Sequence, residues 1–186
     1  MHSLAKTALL CLALGAGPAL ADTATTAHDG QHDFDFDVGT WHTHITRSLD
    51  PFATGSGSMQ LDGTISVRKV WGGKAQLEEI EVDGPKGHWE GLSLLLYNPG
   101  AHQWSQSYVN SKAGTLSASS ATVGGFKDGR GVLVGQDSST YDRTILVKAV
   151  WSDIKPDSHR YQEWYSDDAG TTWVLSFTAE LTRSTP

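Results

Sequence analysis

Two residue pairs have the spacing that metal binding or acid–base catalysis requires. His42 and His44 stand two residues apart, so on a β-strand they share one face and could chelate one metal ion. Glu79 and Glu81 share a strand face in the same way, and paired carboxylates can carry out proton transfer inside a substrate pocket. The sequence contains no nucleophile elbow, phosphate-binding loop or HExxH motif. The glutamate pair makes a hydrolase or isomerase that uses a pocket carboxylate an alternative function.

Strand parity weighs against a metal site and against a cofactor. Trp41 is expected to point into the protein, which places His42 and His44 on the outer face of the same strand. Haem would need an axial histidine inside a pocket, and in the second half of the chain only His159 is available. Its parity is opposite to that of Trp164, which is also expected to point inward. We therefore predict no metal and no cofactor, with haem as a secondary alternative.

Most of the chain alternates apolar and polar residues with a period of two, which is typical of β-strands. The clearest case runs from Trp173 to Leu181, and Met59 to Val67 and Trp104 to Val109 repeat the pattern. Turn residues separate these segments: Gly72-Gly73, Asn98-Pro99-Gly100, Asp128-Gly129 and Asp167-Asp168-Ala169-Gly170. About nine to ten short strands follow at the 8–12-residue spacing of sandwiches and barrels. The predicted fold is an all-β, antiparallel, up-and-down barrel, which leaves no exposed sheet edges.

The N-terminal residues 1–21 have the features of a secretory signal peptide. Lys6 precedes a short apolar stretch, and Ala19-Leu20-Ala21 is a small-x-small cleavage site. We expect residues 22–33 to form a flexible tail and residues 34–183 a single barrel domain, exported to the periplasm or secreted. Cleavage would also remove Cys11, the one cysteine among 186 residues, so no disulfide is expected. The net charge of −7 argues against nucleic-acid or anionic-membrane partners. The oligomeric state is left open.

Several short motifs, and their order along the chain, carry a family resemblance. Gly39-Thr40-Trp41 resembles the start of lipocalin-type barrels, in which the tryptophan plugs one end. Residues 166–173 fit the Asp-box pattern of sialidase propellers, but the box occurs once, so we interpret it as a hairpin turn. The other motifs are Val70-Trp71-Gly72-Gly73, Leu96-Tyr97-Asn98-Pro99, the Trp104 strand and Gly125-Phe126-Lys127-Asp128-Gly129-Arg130. Together, from Phe34 to Arg183, they resemble a bacterial family of secreted, lipocalin-like (calycin-type) β-barrel proteins of uncharacterised function. The resemblance implies a barrel of about ten strands and no catalytic residues.

The barrel interior is the place where a ligand would bind. If Trp41 points inward, the same side should hold other aromatic and polar residues that together would make an amphipathic pocket. The predicted ligand-binding residues are Trp41, Trp104, Gln106, Tyr108, Arg160, Gln162 and Trp164. The predicted function is binding of a small apolar or amphipathic molecule. A second alternative is a periplasmic interaction module whose core is filled, and the volume and lining of the interior distinguish these functions.

Overall fold

The computed structural model describes residues 28–116, 121–138 and 141–184. The predicted signal peptide therefore lies outside the described residues. Of the predicted tail, the structure describes only residues 28–33, and these contact the barrel: the Gly30 carbonyl accepts a 2.8 Å hydrogen bond from Trp104 Nε1. Within the described residues, no helix is long and apolar enough to cross a membrane.

Ten antiparallel strands form one closed barrel in which each strand pairs with the next along the chain and the last pairs with the first. The strands are β1 Gly39–Ser48, β2 Ser58–Val70, β3 Ala75–Gly84, β4 Gly87–Asn98, β5 Gln103–Asn110, β6 Thr122–Lys127, β7 Arg130–Asp137, β8 Ile145–Lys155, β9 Ser158–Ser166 and β10 Val174–Arg183. The all-β, up-and-down barrel predicted from the period-two pattern is confirmed.

The hairpins turn at the glycine-containing segments. Asp128 and Gly129 have φ values of +52° and +75°, the two positive angles that a type I′ turn requires between β6 and β7. Between β9 and β10, Asp168 accepts hydrogen bonds from the backbone N–H and the hydroxyl of Thr172, at 2.9 and 2.7 Å. These local hydrogen bonds hold the turn, and Arg143, which precedes β8, adds an ion pair to Asp167 at 2.8 Å.

One end of the barrel is closed by the segment that precedes β1. A short 3-10 turn, Asp35–Asp37, brings Phe34 into the interior, where it is fully buried. Its ring packs edge-on against Trp104, Phe126 and Trp151, with centroid distances of 5.1, 4.8 and 4.9 Å. These aromatic contacts fill the closed end, so any open volume must lie towards the other end of the barrel.

Trp41 and Arg183 fasten this closed end. Trp41 is fully buried, and its Nε1 donates a 2.7 Å hydrogen bond to the Asp37 carbonyl. The Arg183 guanidinium lies 4.0 Å from the centre of the Trp41 ring and also donates to the carbonyls of Phe36 and Val38. The inward direction predicted for Trp41 is therefore confirmed. Its position in the closed end keeps it away from the open part of the interior.

Gly39 makes room for this arginine. Its φ is +135°, a conformation that residues with a Cβ rarely adopt, and a Cβ at this position would clash with Arg183 Nη1. The glycine two residues before Trp41 is thus required by both backbone geometry and packing.

Candidate ligand cavity

The barrel interior beyond the closed end contains a cavity of about 400 Å³. A second cavity of about 460 Å³ adjoins it and shares the lining residues Ile45, Arg47, Ile80, Trp89 and Tyr165. Both lie towards the end of the barrel that carries the β1–β2, β3–β4 and β9–β10 loops. The closed aromatic end is therefore the floor of a pocket that reaches towards the opposite mouth.

Apolar and aromatic side chains form most of the wall of the inner cavity. They come from strands all round the barrel, because alternate residues of each strand point inward. These side chains are Ile45, Ile65, Ile80, Trp89, Tyr108, Val109, Val147, Ala149, Trp151, Tyr161, Tyr165, Phe177, Ala179 and Leu181. Such a surface would pack against the apolar body of a small molecule.

Three carboxyl side chains also line the cavity: Glu78 on β3 and Glu163 on β9, from opposite parts of the wall, and Asp137 at the end of β7. Glu163 accepts hydrogen bonds on both oxygens, from the Tyr161 hydroxyl at 2.8 Å and from the Tyr165 hydroxyl at 3.0 Å. The Ser93 hydroxyl donates to Glu78. We call the Glu78 and Glu163 side chains the carboxylate pair.

The environment of the pair shifts several protonation equilibria. Burial raises the pKa of Glu78 to about 7, and the negative charges of Asp37 and Glu163 act in the same direction, against the hydrogen bond from Ser93. Burial also raises the pKa of Tyr161 well above its usual value, with Glu163 adding to the shift, and raises that of Tyr165. Both phenols therefore keep their protons at neutral pH and donate them to Glu163.

The carboxylate pair lacks a cationic side chain of its own. Among the residues that the structure describes, no Lys, Arg or His nitrogen lies within 4.0 Å of the Glu78 or Glu163 oxygens. The nearby Asp37 differs, since its Oδ1 lies 3.2 Å from His159 Nε2 in a fully buried pair. Glu78 and Glu163, both half-buried, thus face the cavity with hydroxyl groups as their donors.

The residues predicted to bind a ligand divide into three groups. Gln106 and Tyr108 line the inner cavity, and the Tyr108 hydroxyl accepts a 2.8 Å hydrogen bond from Trp89 Nε1. Trp41 and Trp104 belong to the packed closed end and do not line the cavity. The third group lies on β9 and faces the outside.

The predicted parity of β9 is wrong. Arg160 forms ion pairs on the barrel exterior with Asp153 and Glu180, at 2.5 and 2.7 Å. Trp164 lies outside beside Lys148, and Gln162 bonds Thr178 Oγ1 across the outer face. The inward residues are instead His159, Tyr161, Glu163 and Tyr165. Aromatic residues and a charged residue occupy both faces of β9, so alternation alone does not distinguish the faces, and the ion pairs with Asp153 and Glu180 keep Arg160 outside.

The carboxylates singled out on β3 also face outward, since Glu79 and Glu81 are both on the outer face of that strand. Sequence reasoning missed Glu78 and Glu163, although a signal was available for the first. Ile80 and Val82 are the apolar members of the alternation in β3, and they put Glu78 on the inner face. No comparable signal marks Glu163.

His42 and His44 are both exposed on the outer face of β1, as parity predicts, and His44 Nδ1 lies 2.6 Å from Asp62 Oδ1. Across the described ranges, no three His, Cys, Asp or Glu side chains are placed to hold a metal ion. His159 is the inward histidine, held edge-on against Trp41 and Phe36. The absence of a cofactor stays a prediction, with haem at His159 as its secondary alternative.

Comparisons with known proteins show the fold and no closer relationship. No protein-family model matches the chain, and no curated protein matches it. Among solved structures, the S-type phycobiliprotein lyase CPES from Guillardia theta matches with a TM-score of 0.60 and 11% identity, over 86% of this chain and 95% of the lyase. A de novo designed fluorescence-activating β-barrel matches with a TM-score of 0.43 and 14% identity, over 84% of this chain and 99% of the designed one. Fold and cavity together define a lipocalin-like β-barrel.

Proposed function

We propose that this protein is an exported small-molecule-binding barrel that holds an amphipathic ligand in its interior. The observation that carries the proposal is the cavity of about 400 Å³, lined by aliphatic and aromatic side chains and by three carboxyl groups, Glu78, Asp137 and Glu163. Ligand pockets range over roughly 300–1,000 Å³ and combine an apolar lining with a few convergent polar groups. A periplasmic interaction module with a filled core would leave no such volume.

The position of the polar groups supports an amphipathic ligand over a purely apolar one. A purely apolar molecule would cover the Glu78 and Glu163 carboxyl groups without offering them a hydrogen-bonding partner, which costs free energy. A ligand with one polar group and an apolar body would satisfy both parts of the wall. Gln106, which is largely buried and lines the same cavity, offers a further amide donor and acceptor.

Export to the periplasm or outside the cell is part of the proposal and rests on residues 1–21. The likeness to the phycobiliprotein lyase supports the barrel fold and adds no substrate.

Native mass spectrometry of the protein purified from its source tests the proposal directly. We expect a mass excess that disappears on denaturation and that identifies the ligand. A cavity-blocking variant sharpens the test: Val147→Trp places a large ring in the lining, and Val132→Trp, on the exposed outer face, is its matched control. The mass excess should disappear in the first variant and remain in the second. Ligand-free wild-type protein, or equal retention in both variants, would contradict the proposal.

A second candidate, acid–base catalysis in the cavity, is favoured by one observation. The pKa of Glu78 of about 7 lies where a general base or acid works at neutral pH. The reaction class would be proton transfer in an isomerase or a hydrolase. Turnover of enolisable ketones or esters that is lost in Glu78→Gln and kept in Glu79→Gln would support this candidate; no turnover across such a panel would remove it.

A further inference from the structure

The geometry points to a positively charged nitrogen as the polar group that the cavity recognises, so the ligand class is an amphipathic amine. This inference rests on the proposed ligand-binding function and deepens it. It is carried by the carboxylate pair, Glu78 and Glu163, which faces the cavity from β3 and β9.

Glu163 is held in place by two phenols. Its Oε1 accepts a hydrogen bond from the Tyr161 hydroxyl and its Oε2 accepts one from the Tyr165 hydroxyl. The phenols cannot become anions in turn, because burial and the Glu163 charge raise the pKa of both. The site therefore presents a carboxyl group in a fixed orientation, with phenol donors that stay protonated.

No cationic side chain of the described residues forms an ion pair with either carboxyl group. Among the described residues, neither Glu78 nor Glu163 has a Lys, Arg or His nitrogen within 4.0 Å. His159 and Arg47 also line the cavity: His159 is held by Asp37, and Arg47, near the end of β1, lies close enough for its charge to lower the pKa of Tyr108 and Tyr165. A bound cation would supply the opposite charge that these two carboxyl groups lack at contact distance.

The charge of the site discriminates between possible ligand head groups. A protonated amine offers three donors, and each carboxylate oxygen has lone pairs to accept them. An alcohol of the same shape offers one donor and no charge, and a carboxylate would meet like charges at Glu163 and Asp37. The apolar body of the amine would pack on Ile80, Trp151 and Phe177, which line the same cavity.

Binding of the cation should be linked to proton release. Glu78 faces Asp37 from the segment before β1, Ser93 from β4, and Glu163 and Tyr161 from β9. Its pKa of about 7 leaves it partly protonated at neutral pH, and a neighbouring ammonium group would favour the carboxylate. Affinity for an amine should therefore increase from pH 6 to pH 8. Because Glu78 releases a fraction of a proton when the ammonium group binds, the net charge of the complex should rise by less than one.

Three probes that share one apolar body test the inference: 2-naphthylmethylamine, 2-naphthylmethanol and 2-naphthoate, titrated into the full-length mature protein by calorimetry. We expect the amine to bind at least about tenfold tighter than the alcohol, the size of effect that a charge-assisted hydrogen bond provides, and the acid to bind weakest. In Glu163→Gln or Glu78→Gln the advantage of the amine should fall below about threefold. Glu79→Gln, whose side chain lies on the opposite face of the same strand, should keep it.

The outcomes separate this inference from the proposed function. If the alcohol or the acid binds as tightly as the amine, the charge inference is overturned while ligand binding stands. If the amine is preferred but Glu163→Gln keeps the preference, the assignment to this pair is overturned. If no probe binds and the protein from its source carries no ligand, both proposals fail. The comparison of probes on the wild type stands even if a variant does not fold.

Discussion

Replacing Glu78 with glutamine should stabilise the protein at alkaline pH and have little effect at acid pH. The folded protein raises the pKa of this carboxyl group, chiefly by burial, to about 7 from an ordinary value of 4.5. The protonated form is therefore the one that the fold prefers. Its contribution to stability is fully present below about pH 4.5 and is lost as the pH rises through 7. Glutamine resembles the protonated carboxyl group at every pH.

The size of the effect follows from the shift. A pKa of about 7 in place of 4.5 corresponds to roughly 3 kcal/mol of unfolding free energy, an upper bound because the cavity lets water screen the charge. At pH 5 most of Glu78 is protonated in the folded state, so the wild type loses less than about 1 kcal/mol there. The stability advantage of Glu78→Gln should therefore be about 2 kcal/mol larger at pH 8 than at pH 5.

Urea denaturation at the two pH values, followed by tryptophan fluorescence, measures this difference. Glu79→Gln is the matched control, since Glu79 is the next residue along β3 and lies on the outer face. Its stability relative to the wild type should be the same at both pH values. The reasoning is refuted if the gap between wild type and Glu78→Gln is also independent of pH, or if the variant is the less stable protein at pH 8.

Three further predictions concern the closed end and the last hairpin. Arg183→Ala should lower the free energy of unfolding by about 1–2 kcal/mol, because it removes a cation–π contact and backbone hydrogen bonds. Arg160→Ala, which breaks exposed ion pairs, should cost about half as much. Thermal denaturation of the two variants measures the difference. Gly39→Ala should destabilise the protein more than Gly55→Ala in urea titrations. Both sites have a positive φ, but only a Cβ at Gly39 would meet a neighbour, Arg183. Equal losses of stability in the two variants would contradict the clash. Asp168→Asn should destabilise the protein at neutral pH and less so at low pH. The hydrogen bonds from Thr172 lower the pKa of this carboxyl group to about 2, so its contribution to stability is lost from about pH 4 downward. A loss of stability that does not depend on pH would contradict this prediction.

Local patterns were sufficient to predict the strands, the turns and the antiparallel order. Period-two alternation and turn pairs such as Asp128-Gly129 involve only residues that are neighbours in the sequence. In the folded protein the same neighbouring residues determine the strand and turn conformations. Trp41 was also predictable as an inward residue, because burial of so large an apolar side chain is strongly favourable, and the structure buries it fully.

The cavity was less predictable than the barrel, for a reason visible on β9. Tyr161 and Trp164 are both aromatic and lie on opposite faces, so alternation gives two equally good assignments. The assignment is made by neighbouring strands: Asp153 on β8 and Glu180 on β10 hold Arg160 outside, and this puts Glu163 inside. Those residues are brought to Arg160 only by pairing of three strands.

The sequence by itself therefore determined the kind of structure: short strands, tight turns and an inward tryptophan, all encoded within a few residues of one another. Only the tertiary structure decided the kind of site. Whether a barrel of this size is hollow depends on how Phe34, Trp104 and Trp151 meet at one end, far apart along the chain. Whether its wall is charged depends on which face of each strand turns inward, and that is set when the sheet closes on itself.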